Sequence, residues 1–226
     1  MSSITDFFGI VASNGDLLLE GLGQTLAMTG ISLLLATVVG LPLGTLLILT
    51  RKGGAFDRPT LSLVLNTVIN IIRSIPFIIL LFLIIPITRF LVGTTIGIQG
   101  VILPLVLYTA PYIARLMESA ILEVDKGVLE AYEAMGIPTH KIVCFVLLRE
   151  ARSGIILGLT IATIGLIGAT AMAGLVGAGG LGDIAYQYGY LRFEPEIMYT
   201  SIVLLIILVQ LIQSLGSRMA AKLKKD

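Results

Sequence analysis

Uncharged apolar runs, longer than the core elements of a soluble domain, organise this chain, and short charged stretches separate them. Gly21 to Thr50 carries no charged residue, and Pro59 to about Pro86 is interrupted only by Arg73. Residues 92–114 and 153–182 are uncharged, and Ile197 to Ser217 closes the series. About 20 mostly apolar residues cross a bilayer as a helix. The pattern therefore predicts five spans, at about 21–50, 59–86, 92–114, 153–173 and 197–217. None of the runs alternates apolar with polar positions, which excludes a membrane β-barrel. The expected fold is all-α, a polytopic membrane protein with five transmembrane helices forming one transmembrane domain over residues 1–226.

The connectors differ in kind. RKGGAFDR (51–58) reads as a short basic turn, and VGTTIG (92–97) as a loop leading into the third span. The stretch from Arg115 to Arg152 carries Glu118, Glu123, Asp125, Glu130, Glu133 and Glu150 with the sole histidine, yet keeps the apolar spacing of a helix. That is enough chain to fold into a knob on the membrane surface, and it implies that something outside the bilayer grips it. Val128, Leu129, Tyr132 and Met135 fall at helical spacing, Gly136 suits a C-terminal cap and Pro138 a stop. A second helical stretch, Lys141 to Leu148, leads into the fourth span. The acidity of the knob suits an anionic leaflet poorly, so a protein partner is expected on segment 126–140.

Composition agrees with a membrane chain: 56% hydrophobic, 13% charged, mean hydropathy +1.01. A net charge of +1 gives no reason to expect nucleic acid as a partner. Cys144 and His140, each the sole residue of its type, exclude an internal disulfide and a multi-His or Cys-rich metal site, and read as structural. Residues 1–20 carry Asp6, Asp16 and Glu20 and no Lys or Arg, unlike a secretion signal with a basic n-region. Lys and Arg gather in the 51–58 turn, in the knob (Arg115, Lys126, Lys141, Arg149, Arg152) and in the tail (Arg218, Lys222, Lys224, Lys225). Only Arg89 and Arg192 fall on the other side, so the knob and C-terminus are expected in the cytoplasm and the N-terminus outside.

The chain has no engine of its own. The span cores contain no Asp or Glu, a GxxxxGK[ST] phosphate loop is absent, and no nucleophile–base pair can be named. It is expected to be no enzyme, with no catalytic residue, metal or cofactor. Either solute passes passively, as in a stand-alone channel, or a separate motor drives it; an ion-coupled carrier and a membrane scaffold are the remaining rivals. Arg73 lies deep in the second run, where RSIP predicts a kink whose freed carbonyls accept from the guanidinium; a structural role is preferred over the solute path. Gly154, Gly158, Ala162, Gly165, Ala169 and Ala173 form small-residue stripes that let helices approach closely. Met172 precedes the glycine-rich GLVGAGGLG (174–182), read as flexible, and is a candidate outer gate or a packing residue. In the outer loop 181–196, Tyr186, Tyr188 and Tyr190 are interfacial anchors or contacts for a docked protein.

EAYEAMG, followed nine residues after Gly136 by Val146-Leu147-Leu148, resembles the EAA signature of ABC importer permeases: E-A-A, three residues, G, nine residues, I-x-L-P. Glu130, Ala131, Gly136, Val146 and Leu148 match, with valine standing in for isoleucine. Tyr132 replaces the third small residue, which bears on how closely the helix seats. Arg149 replaces the proline and removes a helix breaker before the fourth span. NIIRSIPFIILL (70–81), VGTTIGIQ (92–99), APYIARLMESAILEV (110–124) and GLVGAGGLGDIAYQYGY (174–190) are similar to methionine-importer permeases.

The resemblance implies a coupling helix in which Glu130, Ala131, Tyr132, Glu133, Ala134, Gly136, Val146 and Leu148 meet an ATP-binding subunit. It implies two copies of this chain with the path at their axis, and two ATPases on the cytoplasmic side carrying ATP and Mg. An extracytoplasmic binding protein would deliver methionine and close analogues across the bacterial inner membrane by alternating access. Another amino acid or a small peptide as cargo stays open.

Overall fold

The computed structural model describes residues 4–52, 54 and 56–224, apart from the side chains of Ile4–Phe8, Lys126, Leu129, Glu133 and Cys144. Gly53 and Ala55 of the basic turn and Lys225 of the tail therefore lie outside the described residues. The order is α1 (Ile4–Ser13), α2 (Gly15–Thr50), α3 (Pro59–Ser74), α4 (Phe77–Val92), α5 (Gly97–Leu122), α6 (Lys126–Ala134), α7 (Thr139–Lys141), a π-helical turn (Ile142–Leu147) and α8 (Leu148–Glu150). There follow α9 (Arg152–Gly174), α10 (Leu181–Ile184), a second π-helical stretch (Ala185–Leu191) and α11 (Pro195–Leu223). Among the described residues there is no strand.

Four helices, α2, α5, α9 and α11, are long and apolar enough to cross a membrane; α3 and α4 together make a fifth, bent by 107°. The bend has a local cause. Pro76 lacks an N–H and its ring disfavours helical backbone at the residue before it. Ile75 accordingly sits at φ −86°, ψ 122°, and the helix restarts with Ile79 and Leu80 donating to the Pro76 carbonyl. The second span is thus broken rather than kinked. The third overruns its expected end: α5 continues to Leu122, so Arg115 and Glu118 belong to the span helix and the knob proper begins near Asp125. The stretch after Gly180, expected as a loop, is helical to Leu191.

Packing divides the chain into two compact units. One comprises Met1–Leu33, Pro76–Val106 and Thr163–Ile212. Its α2 and α11 portions meet α10 through buried Leu18, Ile184 and Ile197, with Ile10, Leu17 and Tyr188 around them. The other comprises Leu34–Ile75, Leu107–Ala162 and Gln213–Asp226. Here small residues set the helix spacing, because dispersion and close fit, not water, drive association in lipid. A Cβ on Gly40 would lie 2.7 Å from the Ala110 carbonyl oxygen, and one on Gly44 2.6 Å from that of Ala114, so α2 rests directly on the α5 backbone. Gly154 and Gly158 of α9 face Ala120 and Leu116 of α5. Ala162, Ala169 and Ala173 of the same stripe are buried, whereas Gly165, and Gly168 beside it, have nothing within 4 Å of where a Cβ would stand. Ser153 Oγ donates to the Ala220 carbonyl at 2.9 Å and Arg152 Nε to that of Leu223 at 3.3 Å, joining the start of α9 to the end of α11.

Gly44→Leu is expected to lower the thermal midpoint of the detergent-purified protein sharply, through overpacking of about 1–3 kcal/mol or more. Gly165→Leu, at an open position, should leave the isolated chain's midpoint close to the parent's.

Candidate functional site

The segment expected to couple to a partner is built by one capped helix and the turn that follows it. Asp125 accepts from the Gly127 backbone N–H at 2.6 Å, the bond expected of an acidic N-cap. Helix α6 ends at Ala134, and Gly136 takes φ +75°, a conformation open to glycine at little cost, while Ile137 N–H donates to the Tyr132 carbonyl. Gly136 therefore caps the helix as its position in the sequence anticipates.

The eight expected coupling residues separate into two groups. Tyr132, Val146 and Leu148 turn inward, against a cluster in which Ile48, Leu49, Met117 and Ile121 of the spans meet Ile142, Val143 and Leu147. Glu130, Ala131, Ala134 and Gly136 are exposed, with Met135 (63% exposed) beside them. The side chain of Glu133 lies outside the described residues. Tyr132 thus fills the protein's own core rather than the outer face, so its bulk replaces no small residue on that face. Phe145, 74% exposed on the π-helical turn, adds an exposed aromatic that helical spacing did not single out. Its signal was available: an aromatic inside the nine-residue spacer of the signature. His140 is exposed beside the same turn, and the Cys144 side chain lies outside the described residues.

Two polar features sit in the span helices. Arg115 pairs with Glu118 one turn away, and its guanidinium also donates at 3.0 Å to the side-chain oxygens of Asn66 and Asn70 on α3. This fork joins α3 to α5, and sequence spacing alone gave no hint of it. Arg73 lies with its guanidinium carbon 5.7 Å from the centre of the Tyr112 ring. Its expected carbonyl partners at the break are replaced by a cation–π contact, which suits a cation in a medium of low dielectric.

Met172 is 49% exposed, on a face of α9 that also carries Leu157, Ile161, Gly165, Gly168 and Leu175 at three- and four-residue spacing. The glycine segment after it is not loose, contrary to expectation. Gln24 Oε1 accepts from the Gly180 N–H at 2.7 Å, Thr25 Oγ1 from the Leu181 N–H at 2.9 Å, and the Gly177 carbonyl from the Gly97 N–H at 2.9 Å. Beside this segment is a cavity of about 330 Å³ lined by Glu20, Gln24, Gly97, Gly179, Asp183 and Tyr188 among others. Burial pushes the Asp183 carboxyl above its ordinary 3.8, a rise that a hydrogen bond from the Gln187 side chain offsets in part. Tyr188 carries the Arg192 guanidinium 4.1 Å above its ring, and Tyr186 stacks on Tyr190 at 5.9 Å.

Residues 40–221 match the family described as the binding-protein-dependent transport system inner membrane component. The chain belongs to this family of inner-membrane transport components. Among curated members it is 44% identical over 211 residues to a probable D-methionine transport system permease protein MetI of Vibrio cholerae, covering 93% of this chain and 94% of that one. It is 46% identical over 171 residues to the methionine import system permease protein MetP of Bacillus subtilis, covering 76% and 77%. The fold matches a chain of the inward-facing MetNI methionine ABC transporter with TM-score 0.91 and 47% identity, covering 94% of this chain and 99% of that one. An amino acid ABC transporter structure at 20% identity shares the fold, with TM-score 0.75. The protein is therefore an ABC-importer permease, an all-α membrane subunit with a transport role.

Two consequences are measurable in this permease. Arg115→Ala leaves Glu118, Asn66 and Asn70 without their donor and should cost about 1–3 kcal/mol in a reversible unfolding assay, with Arg115→Lys intermediate because it keeps the charge and loses the fork. Asp183 has a raised folded-state pKa, so its contribution favours the folded state fully below the unfolded value and is lost as pH rises through the folded one. Asp183→Asn should therefore raise the thermal midpoint relative to the parent at alkaline pH, and the gap should shrink as the solution is acidified.

Proposed function

We propose that this permease carries methionine and close analogues inward as the membrane subunit of an ATP-driven importer. The observation that carries the reading is the near full-length match, at 47% identity, to a chain of a methionine ABC transporter. In this reading two copies line the path and two ATPase subunits, holding ATP and Mg, engage the coupling segment from the cytoplasm. A binding protein delivers solute on the opposite side, where the N-terminus also lies. The segregation of Lys and Arg supports that orientation.

The chain's chemistry suits the assignment of labour. With an apolar interior and no phosphate loop, it supplies a path and leaves energy to a partner. Helix α6 offers a small-residue face, Ala131 and Ala134 with exposed Met135, which lets a groove close on the helix backbone. The inner face, Tyr132 with Val146 and Leu148, is packed on residues of α2 and α5, so a push on α6 moves span helices rather than only a surface loop. ATP-driven approach of the two motors then becomes alternation between inward-open and outward-open states. Met172, on the exposed face of α9, is the gate residue of this scheme.

Proteoliposomes containing this chain, its ATPase and its binding protein should accumulate radiolabelled methionine only with ATP inside, and not with the permease alone. ATP-independent uptake by the permease alone would instead mark a channel or carrier. ATP-driven uptake of another amino acid or of a dipeptide, with methionine excluded, would keep the importer and change its cargo. Ala131→Arg should weaken ATPase co-purification at least about ten-fold, the equivalent of ~1.4 kcal/mol, with the permease still folded. Tyr132→Ala should lower the permease's own thermal midpoint, because its ring fills the intrachain cluster.

A further inference from the structure

We propose that Gln24 and Thr25 are positioning residues for the outer gate: they hold the glycine segment 174–182, and with it Met172, on helix α2. The proposal rests on the reading of Met172 as the gate.

The geometry is specific. Two neighbouring polar side chains of α2 each accept from a backbone N–H of a segment 156 residues away in the chain. Thr25 is used fully, since its hydroxyl also donates to the Gly21 carbonyl at 3.0 Å. The bonds go to backbone, not to side chains, so they set the path of the chain itself. Close approach requires glycine. Gly180 stands at φ +89°, and a Cβ there would lie 2.8 Å from Thr25 Oγ1 and 2.9 Å from Met28 Cε. A Cβ on Gly179, at φ +83°, would strike the Gln24 amide. A paired amide and hydroxyl in a medium of low dielectric cost little, whereas unpaired ones are expensive. The pairing therefore holds one register of the segment over others.

That segment is continuous with the end of α9 through its hydrogen bonds. Leu175 N–H donates to the Met172 carbonyl at 3.1 Å, Val176 and Ala178 N–H both donate to that of Ala173, and Gly177 N–H donates to that of Gly174 at 2.9 Å. Met172 thus sits on a turn whose carbonyl is tied into the clasped segment. Helix α2 also carries Ile48 and Leu49, which belong to the cluster around Ile142, Val143 and Leu147 with Val128 and Tyr132 packed on it. One helix holds both the gate segment and the seat of the coupling segment. A fold-only latch would use the same bonds, so the test reads coupling rather than stability.

The complete transporter in proteoliposomes is assayed for solute imported per ATP hydrolysed. Gln24→Leu and Thr25→Val should each lower that ratio about five-fold, the low end of ordinary coupling between sites, with ATPase co-purification unchanged. Thr25→Ser keeps the acceptor and should restore it. Gln24→Glu is not used, because it would set a second carboxylate against Glu20, which accepts from the Gln24 amide at 3.0 Å. If Thr25→Val does not fold, Gln24→Leu, at a half-buried position, carries the test. In a Met172→Cys background, Thr25→Val should also speed labelling by a membrane-impermeant maleimide. An unchanged ratio in Gln24→Leu, or equal loss in Thr25→Ser and Thr25→Val, overturns the proposal. Met172→Ala separates the two readings. Uncoupled ATP hydrolysis in Met172→Ala with full coupling in Gln24→Leu and Thr25→Val leaves the gate and removes the clasp. Full coupling in Met172→Ala removes the gate and the proposal with it.

Discussion

Burial of Ile142, Val143 and Leu147 against Ile48, Leu49, Met117 and Ile121 is the contact that fixes α6 and the turn after it to the span helices. Without it α6 would be a short amphipathic helix with no fixed relation to the spans; nine residues are too few to be stable alone. Fully burying an aliphatic side chain contributes about 1.5–3 kcal/mol, and Ile142 is fully buried. A handful of such residues is enough to hold α6 and the turn after it against the span helices. The signature residues Val146 and Leu148 act in this role, as partly buried side chains packed on the cluster.

The signature is thus two devices written in one stretch. Its alanines and glycine lie on the exposed side of α6 and its cap. Its later apolar positions, with Tyr132, anchor that face inward. A sequence pattern alone does not divide them, because helical spacing reports which residues share a face and not what each face meets. The division explains why a bulky Tyr132 is compatible with a pattern that asks for a small residue: the ring lies on the side where volume helps.

Close approach of backbones is the second recurring theme. Gly40 and Gly44 let α2 lie on α5, and Gly179 and Gly180 let the glycine segment lie on Gln24 and Thr25. In lipid, apolar surface gains little from association, so intimate fit and satisfied polar groups do the work that water does elsewhere. The same reasoning accounts for Arg115, whose charge is met by Glu118 and by two asparagine oxygens. Arg73 finds instead the face of a tyrosine.

Read by itself, the chain determined its class, the presence of four to five apolar helices long enough to span a bilayer, and the helix ended by Gly136. Each follows from local composition or spacing: run length against bilayer thickness, a left-handed cap after a helical repeat, proline as a stop. The sharpness of the break at Pro76, the extension of α5 to Leu122 and the ordering of the glycine segment were decided by tertiary structure. So were the partners of Arg73, Arg115, Gln24 and Thr25. The reason is physical. A proline announces a break but not its angle, and glycines announce freedom until a neighbour takes it away. A hydrogen bond between residues 156 apart leaves no trace in either local window.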